Sequence, residues 1–338
     1  MKNNFRIRFA RVGETIEIMD FIRLHWAQNH ILAHDKALFN FQYLQNKKLN
    51  FVLALNSYEK IVGILGFIGY APGLDRQDIS LAMWKVIPNL PDPYLGVKLI
   101  HFLQEQAVFR NINCVGISKE TIAIYKYLGF KTGKLDHYAA FNNDCKHFEI
   151  SNPPSKIKSI RNTGIFEFKK VLSIKPILSK LHSLDFYKQK DYFKSVDFLA
   201  KRYETHPYFN YIFHVAYMQD VAKGLVISRP VEHGGGKALR IIEVIANDED
   251  MANIINNFAK ILYRSEYEYV DIYASGIDRS EMTVGNFELI DSPNDVIVPD
   301  YFEPYERRNT EILYMTSTQE NVFLFKGDGD QDRPSSKT

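Results

Sequence analysis

A chain of 338 residues is long for one domain and comfortable for two, and its 46% hydrophobic and 14% aromatic content can fill a core in each. The charged fraction of 24% is ordinary and the formal net charge is +2, with no long run of like charges. A disordered chain and a basic stripe for DNA or RNA are therefore excluded.

The 2 cysteines, Cys114 and Cys145, cannot build a disulfide framework or a multi-cysteine zinc site. The first residues, Met1 to Arg8, lack the apolar centre of a signal peptide. No apolar run approaches the roughly 20 residues that cross a bilayer. A cytoplasmic protein without a membrane span is expected.

Phe5 to Ala10 alternates apolar and charged residues, the pattern of a half-buried strand. The apolar stripe of Ile18, Phe21, Ile22 and Trp26 predicts a helix from about Glu14. Phe51 to Leu55 and Ile61 to Tyr70 are β-rich runs around a hairpin signal, and Ile79 to Ile87 is a further strand ended by Pro88. Gly96 to about Phe109 is helical, with Val97, Ile100, Leu103 and Ala107 at helical spacing. A strand at Cys114 to Ile117, a helix at Glu120 to Leu128 and a strand at Tyr138 to Phe141 follow. A helix between the late strands implies a parallel pair.

Residues 149–165, with Asn152-Pro153-Pro154-Ser155, read as a linker. Beyond them the order recurs. Strands are predicted at Phe166–Leu172, Tyr211–Met218, Gly224–Arg229, Leu239–Ala246 and Val270–Tyr273, and helical pieces at Ser195–Tyr203, Met251–Tyr263 and Glu281–Val284. Phe39-Asn40-Phe41 matches Phe209-Asn210-Tyr211, and Val62-Gly63-Ile64 matches Lys223-Gly224-Leu225. Leu128-Gly129-Phe130 aligns with Gly285-Asn286-Phe287, the glycine displaced by one. An internal duplication accounts for the common order.

Two segments carry a family resemblance. Val86-Ile87-Pro88 through Gly96 to Ile100 resembles the cofactor motif of the GNAT superfamily of N-acetyltransferases, which runs from a strand through V-x-P and a glycine-bearing turn into a helix. Pro91 stands where that family has Gln or Arg, and Tyr94 where it has its first Gly; Gly96 is kept. Ser118 to Phe130 is similar to the family pattern N-x-x-A-x-x-L-Y-x-K-x-G-F.

The resemblance implies a mixed α/β (α+β) fold. Two tandem GNAT-like domains are expected, each a mostly antiparallel sheet with a central parallel strand pair flanked by helices. The first spans residues 1–148 with an acetyl-CoA site; the second, degenerate copy spans 166–338 with a C-terminal tail. It also implies roles. Backbone N–H groups of Tyr94, Leu95, Gly96, Val97 and Lys98 would meet the CoA pyrophosphate at a helix N-terminus, and those of Trp84, Lys85 and Val86 would polarise the acyl carbonyl. Splaying of this strand from the Cys114–Ile117 strand would let the pantetheine arm bond as a strand does. Tyr125 would donate a proton to the departing thiolate.

No carboxylate lies inside the Ile79–Val86 strand. Asp78, Asp136 and His137 stand near strand ends; His137 is the better base by intrinsic pKa, with a plain surface histidine or a water relay as alternatives. Trp26, His30 and Tyr43 are candidates for an acceptor pocket, since sugar rings stack on aromatics and hydrogen-bond to imidazole. His25, His30 and His34 lack any recognised metal-ligand spacing, and no metal is expected. His233-Gly234-Gly235-Gly236-Lys237 reads as a hairpin turn.

In the second half, Met282 stands at the place of Tyr125 and no glycine turn precedes the Met251–Tyr263 helix, so that copy should hold no CoA. The run Asp328-Gly329-Asp330-Gln331-Asp332 lacks the glycine of a calcium loop; it reads as a solvated tail, or with Lys326 as one folded back onto the acceptor, since Asn321–Phe325 reads as a strand leading there. A looser likeness, from His25-Trp26 through Tyr43 and Gly63 to Phe67, is to GNAT-like proteins of bacterial surface-polysaccharide loci. It implies a small-molecule acceptor, an amino sugar or sugar nucleotide. A FemAB-type aminoacyl transferase and a non-catalytic GNAT-fold binding protein stay open, as does the oligomeric state.

Overall fold

The alternating start of the chain forms strand β1 (Arg6–Phe9), and the apolar stripe after it forms helix α1 (Thr15–His25), which buries Ile18, Phe21 and Ile22. This computed structural model describes residues 5–106, 108–162, 164–181, 190–290, 295–319 and 322–334. Two short helices follow that the periodicity did not reveal, α2 (Ile31–His34) and α3 (Lys36–Tyr43). Each is capped at its start: His30 accepts from the Leu32 N–H and Asp35 from the Leu38 N–H.

A small hairpin of β2 (Leu44–Gln45) and β3 (Lys48–Leu49) leads to β4 (Phe51–Leu55), β5 (Ile61–Gly69) and β6 (Gln77–Val86). Next come α4 (Leu95–Gln104), β7 (Phe109–Val115), α5 (Ile122–Tyr127), β8 (Lys131–Lys134) and β9 (Asp136–Phe141). Ala107, assigned to the helix by spacing, lies outside the described residues.

The second half runs β10 (Glu167–Val171), α6 (Lys175–Leu181), α7 (Val196–Glu204), β11 (Ile212–Met218), β12 (Val221–His233) and β13 (Gly236–Ala246). It continues through α8 (Asp248–Phe258), β14 (Tyr269–Ser275), α9 (Arg279–Val284), β15 (Glu288–Leu289), β16 (Leu313–Thr316) and β17 (Leu324–Phe325). The glycine run is the β12–β13 turn, with Gly234 at φ 60° and Gly235 at φ 94°. Asn321, in the expected last strand, lies outside the described residues.

Two sheets carry the same plan. The first is 7-stranded, in the order β1-β4-β5-β6-β7-β16-β8; the second is 8-stranded, β10-β11-β12-β13-β14-β9-β15, with β17 also beside β14. Each has one parallel pair at its centre, β6 with β7 and β13 with β14, and antiparallel neighbours around it. Gly63 pairs Val86 where Gly224 pairs Ala246, so two of the glycines matched in sequence hold equivalent places.

The halves exchange one strand each. β9, counted with residues 1–148, sits in the second sheet between β14 and β15, and β16 from the second half sits in the first sheet between β7 and β8. A division at residue 148 therefore does not coincide with the sheets. The physical reason is that β9 is apolar on both faces. Tyr138 and Ala140 join one core cluster of the second sheet, and Ala139 and Phe141 join another. Burying a large apolar side chain contributes about 1.5–3 kcal/mol, and β9 gains that on both sides only inside a sheet covered twice. Residues 149–151, expected as linker, are likewise tied down: buried Glu268 accepts from the N–H groups of Glu149, Ile150 and Ser151.

Among the described residues, no helix is long and apolar enough to cross a membrane.

Candidate active site

The parallel strands β6 and β7 pair at Gln77↔Phe109, Ile79↔Ile112 and Ser80↔Asn113 and then part. Asp78 anchors the closed end. Its buried carboxylate accepts from Arg110 Nε at 2.8 Å and from the N–H groups of Asn111 and Phe193 at 3.1 and 3.0 Å. It is thus committed to structure rather than facing an acceptor. Past this point β6 carries a bulge. Leu65 pairs Trp84 and Gly66 pairs Ala82, leaving Met83 unpaired at φ 49°. Peptide groups that would have met β7 along the rest of β6 face an open fork.

A cavity of about 350 Å³ fills that fork. Its walls are Leu81 to Lys85 of β6, residues 114–118 at the end of β7, Tyr125 of α5, Trp26 after α1, and Asp330, Gln331 and Arg333 of the C-terminal tail. Tyr125 packs with its ring 5.5 Å from Trp84 and 5.9 Å from Phe130. Burial holds its hydroxyl well above the ordinary tyrosine pKa, with the neighbouring Cys114 adding to this, so the proton stays on until a stronger base draws near.

Tyr125, Trp84, Lys85 and Trp26 line the cavity, while Val86 lies at the outer end of β6 opposite Gly63. His30 and Tyr43 stand behind the tail wall. Burial, then the Arg333 charge, lowers the His30 imidazole to about 4, with Asp330 opposing. Burial and Asp330 raise the Tyr43 hydroxyl, which lies beside Asp330 but reaches no acceptor at hydrogen-bonding geometry.

Tyr94, Leu95, Gly96, Val97 and Lys98 open α4 as expected, one indole away from the cavity: Trp84 Nε1 donates to the Gly96 carbonyl at 3.1 Å. Part of their donor set is already used. Asp92 accepts from the Tyr94 N–H at 3.0 Å through its side chain and from the Leu95 N–H at 3.3 Å through its carbonyl. The Lys98 N–H closes the first helical bond to Tyr94. Gly96 and Val97 remain as first-turn donors. The Asp92 carboxylate is held low by Lys98 and by the Tyr94 N–H.

His137 is not brought to this cavity. Because β9 crosses into the second sheet, its imidazole is buried there, Nε2 3.0 Å from Asp271 and the ring stacked 3.8 Å from Tyr273. Burial lowers its pKa against the pull of Asp271. The residue belongs to a buried network in which Arg240 forks onto Asp271 and also meets Asp300.

The tail departs furthest from the solvated reading. Asp328, Asp330 and Asp332 are 0%, 7% and 2% exposed. Asp328 accepts from Tyr70 at 2.7 Å and pairs with Lys194 at 3.0 Å. Asp332 takes a fork from Arg229 and the Tyr211 hydroxyl; burial would raise its carboxyl, but Arg229 outweighs this and holds it at about 2. Gly116, at φ 88°, lets the tail close on β7: a Cβ there would lie 1.8 Å from the Gln331 amide.

The second sheet has the same fork, filled from within. β13 and β14 pair at Leu239↔Val270, Arg240↔Asp271 and Ile241↔Ile272 and then part, with a bulge that skips Ile242 on β13. Into this gap run the residues after β17. The Lys326 N–H donates to the Tyr273 carbonyl at 3.3 Å and the Gly327 N–H to Ile242 at 3.0 Å. A Cβ on Gly327 would meet the Tyr203 hydroxyl at 2.4 Å. Met282 of α9, expected at the place of Tyr125, is buried.

The overall fold is shared with solved structures. A GCN5-related N-acetyltransferase from Anabaena variabilis aligns over 93% of this chain and 72% of its own, at TM-score 0.60 and 13% identity. A probable N-acyltransferase from Enterococcus faecalis covers the same shares at TM-score 0.55 and 12% identity. The chain has the GNAT fold. A GCN5-related N-acetyltransferase from Kribbella flavida matches this GNAT architecture at TM-score 0.51 and 11% identity, over 93% of this chain and 71% of its own. No family model and no curated protein matches the sequence. Among the described residues, no group of three or more His, Cys, Asp or Glu side chains is arranged to hold a metal.

Proposed function

We propose that the chain is an N-acetyltransferase using acetyl-CoA as acyl donor, with a single active site in the first fork. The observation that carries the reading is the open 350 Å³ cavity with the Met83 bulge on one side and Tyr125 on the other. An extended pantetheine arm suits a fork whose strand edges lack partners. The N–H groups of Gly96 and Val97, at the start of α4, would hold the pyrophosphate. Acetyl-CoA supplies an activated acyl carbon.

Around it this chain's residues divide the work. Peptide N–H groups at the bulge, from the stretch that includes Trp84 and Lys85, face the place where the carbonyl oxygen gains charge. Tyr125 holds its proton at neutral pH and can give it to the leaving sulfur. Trp26, exposed at the cavity mouth, offers a face for a ring, and Gln331 and Arg333 offer hydrogen bonds beside it. Such a mouth suits an amino sugar, free or nucleotide-linked, and the likeness to proteins of surface-polysaccharide loci favours the same class.

Calorimetric titration of the whole chain with acetyl-CoA tests this reading. Binding is expected, with Tyr125→Phe binding equally well and turning over about 10²-fold more slowly. No heat at millimolar ligand would remove the reading.

One observation favours a second function. Asp92 places a carboxylate at the helix start where the pyrophosphate would lie. A GNAT-fold binding protein without turnover would keep the cavity and reject CoA.

A further inference from the structure

We infer that Asp330, carried by the C-terminal tail, is the general base that deprotonates the acceptor amine; this rests on the acyltransferase reading above. Asp330 is the one carboxylate among the described residues that line the cavity. It follows Gly329, which packs against Ser80 of β6, and it lines the same cavity as Tyr125, so an acid and a base border one space. His137 is excluded from this role by its place in the second sheet, and Asp78 by its three donors at the closed end of the fork.

The surroundings fit a proton acceptor. Arg333 engages one carboxylate oxygen, Nε to Oδ2 at 3.2 Å. Tyr43 of α3 and His30 at the head of α2 face it from behind. Cys114 of β7 faces it from the side, and burial keeps that thiol protonated. His30, lowered to about 4, is uncharged at neutral pH and adds no competing positive charge. Arg333 and Lys85 are the cations of the cavity wall, and the carboxylate of Asp330 is the group there that attracts an incoming ammonium. Gln331 and Arg333 also border a second cavity, lined by Phe209, Arg229, Tyr301 and Lys326. That second space, of about 50 Å³, has room for a water or two and not for an acceptor ring.

The step balances. Asp330 takes one proton from the acceptor ammonium, and the free amine nitrogen forms its bond to the acyl carbon while the carbonyl pair moves to oxygen. On collapse the carbon–sulfur bond breaks, its electron pair leaves with sulfur, and sulfur receives the Tyr125 proton. The second nitrogen proton restores the tyrosine through solvent, and the proton on Asp330 is released. The products are the amide, free thiol and one proton.

Whole-chain wild type, D330N, D330E and Y125F are titrated with acetyl-CoA. Thiol release is then followed with glucosamine, spermidine and lysine as primary-amine probes, from about pH 6 to pH 10.5, a span over which amines lose their proton. D330N is expected to bind acetyl-CoA within about twofold of wild type and to lose about 10²-fold or more in turnover. Its rate should climb towards that of wild type as pH rises and the acceptor loses its proton without help, and D330E should recover part of the rate.

D330C with bromoacetyl-CoA tests placement independently of folding losses. The thiolate displaces bromide, a carbon–sulfur bond forming as carbon–bromine breaks, and the adduct is read by mass at position 330. Three results overturn the inference: an unchanged rate and pH profile in D330N, alkylation at Cys114 but not at position 330, or a wild type that binds acetyl-CoA and acylates none of the amines. If wild type does not bind acetyl-CoA at all, the acyltransferase reading fails instead.

Discussion

The two forks of this chain start from the same geometry and end in opposite states. In each sheet a central parallel pair separates after a few residues, beside a bulge on the earlier strand, at Met83 in one and Ile242 in the other. The first fork leaves an open cavity bordered by a tyrosine; the second is threaded by Lys326 and Gly327, whose N–H groups satisfy the exposed carbonyls. Open strand edges are costly when buried and unpaired. A fork of this kind is filled either by a ligand or by the chain; the second is filled by the chain, and the first is open. The tail that fills the second fork continues into the wall of the first, so residues of the second half border the open cavity.

The largest expected effect comes from loosening the filled fork. Arg240→Met would leave Asp271 and Asp300 buried without their shared cation, and Lys326 is paired with the same Asp300. Breaking such a network by removing one partner costs about 3–5 kcal/mol. Chemical denaturation should show that loss; a midpoint close to wild type would mean the network does not hold the tail.

Gly116→Ala tests the seam between tail and open fork. Its φ of 88° strains any side chain and the added carbon would press on Gln331. A cost of about 1–3 kcal/mol is expected, together with weaker acceptor use and unchanged stability of the second sheet by hydrogen exchange.

The buried histidines give the comparison a pH dependence. His30 beside the open fork, and His206 and His214 in the second half, are each lowered by burial from 6.5 to about 4. Between those values the unfolded chain binds protons that the folded chain refuses, so stability falls as pH is lowered through that window. A thermal midpoint that drops between about pH 6.5 and pH 4 is expected, and His30→Asn, which keeps a helix cap, should remove its share of the drop. A midpoint flat across the window would contradict the burial of these groups.

The smallest effect concerns Asp92. Replacing it with Asn removes a negative charge from the start of α4, where helix-end electrostatics are worth about 0.3–1 kcal/mol. Acetyl-CoA affinity should rise by up to about fivefold. Unchanged affinity would place the pyrophosphate elsewhere.

Much of this was legible in the sequence because it is local. The alternation at Phe5–Ala10, the hairpin at Gly234–Gly235 and the Ser118–Phe130 segment each follow from neighbours a few positions apart. The strand exchange was not legible: periodicity can say that Tyr138–Phe141 is a strand but not which sheet receives it, and that displacement removed His137 from the site. The Asp-rich tail misled for a related reason. Isolated carboxylates favour solvent, whereas these are buried against Lys194, Arg229 and Arg333, two of which lie far away in the chain. The strand of apolar residues before Asp328 was the only local sign that the tail returns.

Hydrogen–deuterium exchange of the whole chain with and without acetyl-CoA tests the contrast between the forks most directly. The account predicts new protection in Leu81–Val86, in residues 114–118 and at the start of α4, with none in Ile242–Ala246 or Tyr273–Ser275. Protection in the second fork, or in neither, would contradict it.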